Sequence, residues 1–292
     1  PDVLREHIQK CKKATNKPFG VNIPMLYPQI SELMNIILEE GIKIVFTSAG
    51  NPKTWTSFLK EKGITVVHVV SSVKFALKAE SAGVDAVVCE GFEAGGHNGR
   101  EESTTFTLIP MVKEQVKIPL IAAGGIGSGR GMLAAMVLGA DGVQIGSRFV
   151  ASTESSAHEA FKNSVVEAKD GDTHLTLKEL APVRLIKNKF FNDLQDLYAT
   201  KPTVDELKTL LGRARAKRGM FEGDLDEGEL EIGQIAGLIH EIKPVADIVK
   251  ELIAEFEDAK KWREIGVQYI AYSVDVGLVL NAYKEVCNKL NN

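Results

Sequence analysis

Six short runs rich in β-branched residues recur about twenty residues apart through the first 150 positions, and each is followed by a stretch of helical period. The runs are FGVNIP (19–24), IKIVFTS (42–48), ITVVHVV (64–70), VDAVVCE (84–90), IPLIAAGG (118–125) and ADGVQIG (140–146). Between them lie amphipathic segments such as YPQISELMNIILEEG and SSVKFALKAESAG. Gly41, Gly63, Gly83 and Gly139 stand where helices should stop before the next strand. Strand runs alternating with helices predict βαβ units on a parallel sheet. The runs are apolar throughout rather than alternating, the pattern of strands covered on both faces. A doubly wound sheet accepts six strands, whereas a (β/α)8 barrel needs two more.

The chain opens on Pro1 rather than Met, so the expectation is that sequence precedes it. Two strands placed there would bring the six to eight. The fold class expected is therefore α/β, a (β/α)8 barrel of which residues 1–150 supply the core. Residues 151–263 change texture toward helix and are expected to form a small helical subdomain. They include a basic run, GRARAKRG (212–219), and a turn-rich FEGDLDEGELEIGQ (221–234). A late run, VQYIAYSV (267–274), predicts one more strand and a terminal helix within an extra unit over 264–292.

Composition narrows the function classes. The balance of 35 basic against 39 acidic residues, net −4, does not suggest a nucleic-acid binder as a whole. No apolar run approaches the ~20 residues that span a bilayer, and no signal peptide is visible. Three scattered cysteines, Cys11, Cys89 and Cys287, fit a reducing cytoplasm better than a disulfide framework. Cys89 ends an apolar run and reads as core rather than nucleophile.

Two segments carry candidate chemistry. In PLIAAGGIGSGRGMLAAMVLGADGVQIGSRF, consecutive strands end on Gly124-Gly125 and on Gly146-Ser147, and each leads into a helix. Neighbouring glycine-tipped βα loops can cradle a phosphate, because backbone N–H groups approach the anion closely. The same glycines could simply make tight turns. The loop CEGFEAGGHNGREESTTF (89–106) is longer than a connector needs and holds one imidazole, His97. Such a histidine can be solvated, or can act as acid, base or hydrogen-bond donor.

EGFEAGGHNG, IPLIAAGGI and GVQIGSRFVASTES resemble the family of flavin-dependent enoyl-acyl carrier protein reductases and nitronate monooxygenases. FEGDLDEGELEIGQIAGLI looks more like the reductase branch, and the likeness runs over roughly residues 1–255. The resemblance implies FMN bound at the C-terminal ends of the barrel strands. It places Asn22 facing the flavin ring and Gly124, Gly125, Gly146 and Ser147 on the phosphate, with Gln144 nearby. His97 matches the active-site histidine, and Glu90 opens its loop. The implied reaction is reduction of a trans-2-enoyl thioester on acyl carrier protein, with NADH or NADPH as reductant. The alternatives are oxidation of alkyl nitronates by O2, or a truncated or chimeric barrel without turnover. No metal is implied, and the expected state is a cytoplasmic homodimer. Arg213, Arg215, Lys217 and Arg218 could meet the acidic carrier protein or a nicotinamide pyrophosphate, or form a solvated helix face. From about Ala259 the tail resembles instead the last βα unit of an aldolase-type barrel of the HpcH/HpaI kind, which could fill a vacant barrel position or be an appendage.

Overall fold

The computed structural model describes residues 1–264. Its strands are β1 (Gly20–Pro24), β2 (Ile44–Ser48), β3 (Thr65–Val70), β4 (Ala86–Glu90), β5 (Gly96–His97), β6 (Leu120–Ala123), β7 (Gly142–Gln144), β8 (Thr173–Thr176) and β9 (Val183–Ile186). Six of them form one parallel sheet in the order β1-β2-β3-β4-β6-β7, a half-barrel with helices along its outside. All six apolar runs are strands of this sheet, paired in sequential order. Among the described residues no strand joins β7 back to β1.

The unbroken apolar character of the strands has a direct cause in packing. Side chains alternate across a strand, and here both faces are covered. Val66, Val87, Cys89, Leu120 and Ala122 pack outward with the helix residues Met34, Ile37, Leu59 and Leu108. Val67, Val88 and Ala123 turn inward with Phe46, Val69 and Ile121. Burial pushes the Cys89 thiol up to about 12, so this cysteine is core.

A repeated device ties the helices to the sheet. Gly83 and Gly139 end their helices at φ +85° and +110°, a conformation that L side chains rarely adopt. Two residues later Asp85 accepts the Val66 N–H at 2.8 Å, and Asp141 accepts the Leu120 N–H at 2.9 Å. Each carboxylate therefore pins the start of its own strand to the neighbouring one, while Lys60 and Lys113 pair with it from outside.

The region after residue 150 carries a strand pair beside its expected helices. It contains helices, among them Glu159–Glu167, Lys189–Ala199 and Val245–Glu264, but also the antiparallel hairpin β8–β9. That hairpin takes β5, from the glycine-rich loop, as its third strand in the order β5-β9-β8. The helix Val245–Glu264 packs across the N-terminus of the helix Gly129–Val137, where Glu255 accepts the Gly129 N–H at 2.8 Å. The strand expected at 267–274, and its completion of the barrel, lie outside the described residues.

Candidate active site

Parallel strands deliver their C-terminal ends to one rim, and register decides which side chains reach the inside. Asn22 lies opposite Phe46, Glu90 opposite Ala123, and Ala123 opposite Gln144. Phe46 and Ala123 belong to the inner cluster, so Asn22, Glu90 and Gln144 share that face at the rim. They line a cavity of about 1080 Å³ together with His68, His97 and Gly146. This exceeds the ~300–1,000 Å³ usual for a small-molecule site.

Two titratable groups of this wall are shifted by burial. Glu90 ends β4 with no charged partner among the described residues, and desolvation raises its carboxyl to about 7. His68 sits on β3 beside Thr47, with Oγ1 to Nδ1 at 2.7 Å. Desolvation, aided by Lys78, lowers it to about 4, so this imidazole is neutral at physiological pH. Sequence reasoning passed over His68 because it lies within an apolar strand.

The loop 91–99 is held from three sides. Glu93 accepts the Thr105 N–H at 2.9 Å, and the Thr105 hydroxyl lies 2.8 Å from the Gly124 carbonyl oxygen. Arg184 on β9, only 2% exposed, donates through Nε and Nη2 to the Phe92 carbonyl at 3.2 and 3.0 Å. Its guanidinium also lies 4.6 Å from the centre of the Phe92 ring. Asn98 closes the loop, donating through Nδ2 to the Ala94 and Gly96 carbonyls, while its N–H reaches Pro182. The glycines answer to this packing: a Cβ on Gly91 would stand 2.1 Å from Thr105 Oγ1, and one on Gly95 2.4 Å from the Ile232 carbonyl carbon. His97 emerges from it exposed, on the edge strand β5.

The two glycine turns differ. Gly124 (φ +89°) and Gly125 (φ +69°) lie against the loop, where a Cβ on Gly124 would meet the Gly91 carbonyl oxygen at 2.7 Å. Gly146 borders the cavity, and a Cβ added there would meet nothing within 4 Å. Behind it, Ser147 Oγ accepts the Gly233 N–H at 3.0 Å. The structure thus gathers Asn22, Glu90, His97, Gln144 and Gly146 around one space and sets Gly124, Gly125 and Ser147 one layer behind.

The basic run is partly committed to the fold. Arg215 donates to the Leu211, Glu227 and Leu210 carbonyls and lies 4.2 Å from the centre of the Phe190 ring. That removes it from any anion-docking role. Lys217 pairs with Glu222 and Arg218 with Asp224 at the surface. Sequence reasoning also missed Glu229 and Glu231, which share a second cavity with His97. Their alternation with Leu230 and Ile232 was the available signal: period two, with carboxylates on one face.

No helix among the described residues is long and apolar enough to cross a membrane, and no group of three or more metal-ligating side chains occurs among them. Comparison with known proteins adds the following. The family model described as nitronate monooxygenase matches residues 1–255. The structure of FabK from Thermotoga maritima superimposes with a TM-score of 0.84 at 42% identity, covering 91% of this chain and 84% of that one. A probable nitronate monooxygenase of Staphylococcus saprophyticus is 34% identical over 73% of this chain, which spans 65% of that relative's length. A Rhodococcus jostii protein named as a hydroxy-methyl-oxo-octahydroindene-carboxyl-CoA dehydrogenase is 28% identical over 86% of this chain and 81% of its own.

Proposed function

Because the chain belongs to the nitronate monooxygenase family, whose members are flavin-dependent oxidoreductases, we propose that it is an FMN-dependent reductase of trans-2-enoyl thioesters carried on acyl carrier protein. The observation that carries this reading is the 42% identity to FabK, a type II enoyl-acyl carrier protein reductase, over 91% of the chain. The R. jostii relative, whose name specifies a coenzyme A thioester, supports the same substrate chemistry.

The residues present fit a flavin. The rim cavity has the volume for a planar cofactor with substrate against it, and Gly146 leaves open space beside its backbone at one end. Gly146 and Ser147, with Gly124 and Gly125 behind them, would hold the phosphate; Asn22, Gln144 and Glu90 would border the ring system. When bound, FMN supplies hydride transfer, first taken from NADH or NADPH and then given to the β-carbon of the enoyl thioester.

The chain's own contribution is position and proton. His97 stands on a short edge strand whose backbone is fixed by β9 at Val183, so its imidazole is presented to the cavity from a rigid element. There it can polarise the thioester carbonyl or deliver the proton to the α-carbon. Glu90, buried and raised to about 7, keeps charge off the cavity wall below that pH.

A second reading, oxidation of alkyl nitronates by O2, is favoured by the family description and by the S. saprophyticus relative. Purified protein decides between them. Flavin absorbance with NADH oxidation that requires an enoyl thioester is expected; oxygen uptake driven by nitronate without nicotinamide would favour the second reading, and protein that takes up no FMN would overturn both. Within the first reading, His97→Ala lowers turnover by about 10²–10⁴-fold while FMN affinity is retained. Near-normal turnover in His97→Gln but not in His97→Ala would assign polarisation rather than proton transfer.

A further inference from the structure

His97 lines two cavities. The larger is the rim cavity. The smaller, about 200 Å³, is walled by Leu177, Leu180 and Val183, with Glu229 and Glu231 as its acidic members. We propose that Glu229 and Glu231 form a proton relay that serves His97 from this smaller cavity. The proposal rests on the reading of His97 as the group that moves a proton.

The sequence EGELEIG places the carboxylates. Residues 229–232 are extended beside β9, with Leu185 bridged to Glu231 and the Ile186 N–H donating to the Leu230 carbonyl at 2.9 Å. Leu230 and Ile232 are each 2% exposed within an apolar cluster, so alternation turns Glu229 and Glu231 to the opposite side. Glu229 is 7% exposed yet borders the small cavity. Glu231 lies against the residue before His97, since a Cβ on Gly96 would come within 2.8 Å of its Oε2.

No described residue donates a hydrogen bond to either carboxylate. The neighbouring cation, Arg215, spends its N–H groups on the Leu211, Glu227 and Leu210 carbonyls. Arg184 of β9 is turned to Phe92 and Thr173. An acid pair sealed in the core would need such donors; these carboxylate oxygens are not sealed, since no buried side-chain oxygen among the described residues lacks a partner. Burial, and then repulsion from Glu231, raise Glu229 to about 7, against the pull of His97 and Arg215; burial raises Glu231 to about 6. As pH falls through about 7 the pair takes up a proton beside a cavity with room for several waters, at about 30 Å³ each.

The proton balance is simple. When the imidazolium N–H bond breaks and the substrate C–H bond forms, neutral His97 takes a proton from the Glu229 carboxyl, the acid whose charge it feels. Glu229 takes one from Glu231, and Glu231 is reprotonated by hydronium or buffer acid from bulk solvent through the cavity water, so no hydroxide is left behind. If the substrate instead gives up a proton, the same chain runs in reverse.

Glu229→Gln, Glu231→Gln and the double variant test this, alongside His97→Gln. Wild-type kcat should fall above about pH 7 as the pair empties. That limb should vanish in the double variant, with kcat lowered about 10–100-fold, short of the ~10²–10⁴-fold for a group in direct contact, and KM little changed. A small carboxylic acid or imidazole added to the buffer should restore part of the rate, which a structural role would not permit. Independently of turnover, infrared spectra of the wild type at pH 6 should show a protonated-carboxyl band that the double variant lacks. Wild-type kcat and pH profile in the Gln variants, with His97→Gln impaired, would overturn the relay alone. An unimpaired His97→Gln would overturn the reading of His97 and the relay with it. Absence of the infrared difference would overturn the relay whether or not the protein turns over.

Discussion

The turns at Gly124-Gly125 and at Gly146 end adjacent strands of one sheet and look alike in sequence, yet they meet different surroundings. The first is filled by the protein: its backbone lies on Gly91 and Glu93 at positive φ. The second is open, with ordinary φ of −106° and no atom within 4 Å of where a Cβ would stand. A glycine can therefore be required by self-packing or retained beside a space, and only the neighbours tell which. Where a loop folds back over a turn, glycine is structural; where it does not, the same residue is available to a ligand.

The largest effect expected from this contrast is on stability. Gly124→Ala meets both a left-handed φ and the Gly91 carbonyl, and should cost about 2–5 kcal/mol by strain and overpacking. A shift of the urea midpoint measures it, and a wild-type midpoint would break the comparison. Next comes Glu90, which lies opposite Ala123 beside the packed turn. The folded chain keeps its proton up to about pH 7, whereas an unfolded carboxylate loses it near pH 4.5. Stability contributed by this group therefore falls as pH rises through that window, by roughly 3 kcal/mol in all. Glu90→Gln should flatten that part of the stability–pH curve, raising the midpoint at pH 8 and leaving it unchanged at pH 4.

Arg184 holds the loop onto the packed turn from above. Arg184→Met leaves the half-buried Phe92 carbonyl without its charged donor and should cost about 1.5–3 kcal/mol, with faster amide exchange across 91–99. The smallest effect belongs to Gly146→Ala: within about 0.5 kcal/mol of wild type in stability, but with FMN uptake weakened. Loss of stability there, or full FMN affinity, would erase the distinction between the turns.

Much of the half-barrel was legible because each strand is a local statement. Runs such as VDAVVCE carry their own burial on both faces, and the glycine stops and Asp pins lie within a few residues of them. Asn22, Glu90 and Gln144 were named through the family resemblance, and the observed parallel pairing sets them at the rim. The hairpin β8–β9 was not legible, since THLT and VRLI are four residues each and lie among helices. Arg184 within VRLI drew no notice in the sequence, since its partner at Phe92 is 92 positions away. Glu229 and Glu231 were hidden for the opposite reason: two acids in a turn-rich, charged stretch read as surface until the strand beside them is known.

Pairing of β5 with β9 also sets an order in time. His97 leaves the ribosome well before Val183 and Arg184, and at ~5–20 residues per second the interval is several seconds. During it, β1–β4, β6 and β7 have all been made and can pair with neighbours close in sequence, while the loop 91–99 has no β9 to dock on. A nascent chain halted before residue 183 should therefore carry a protease-sensitive 91–99 segment on an otherwise assembled sheet, and the imidazole would take its place only when the later hairpin arrives.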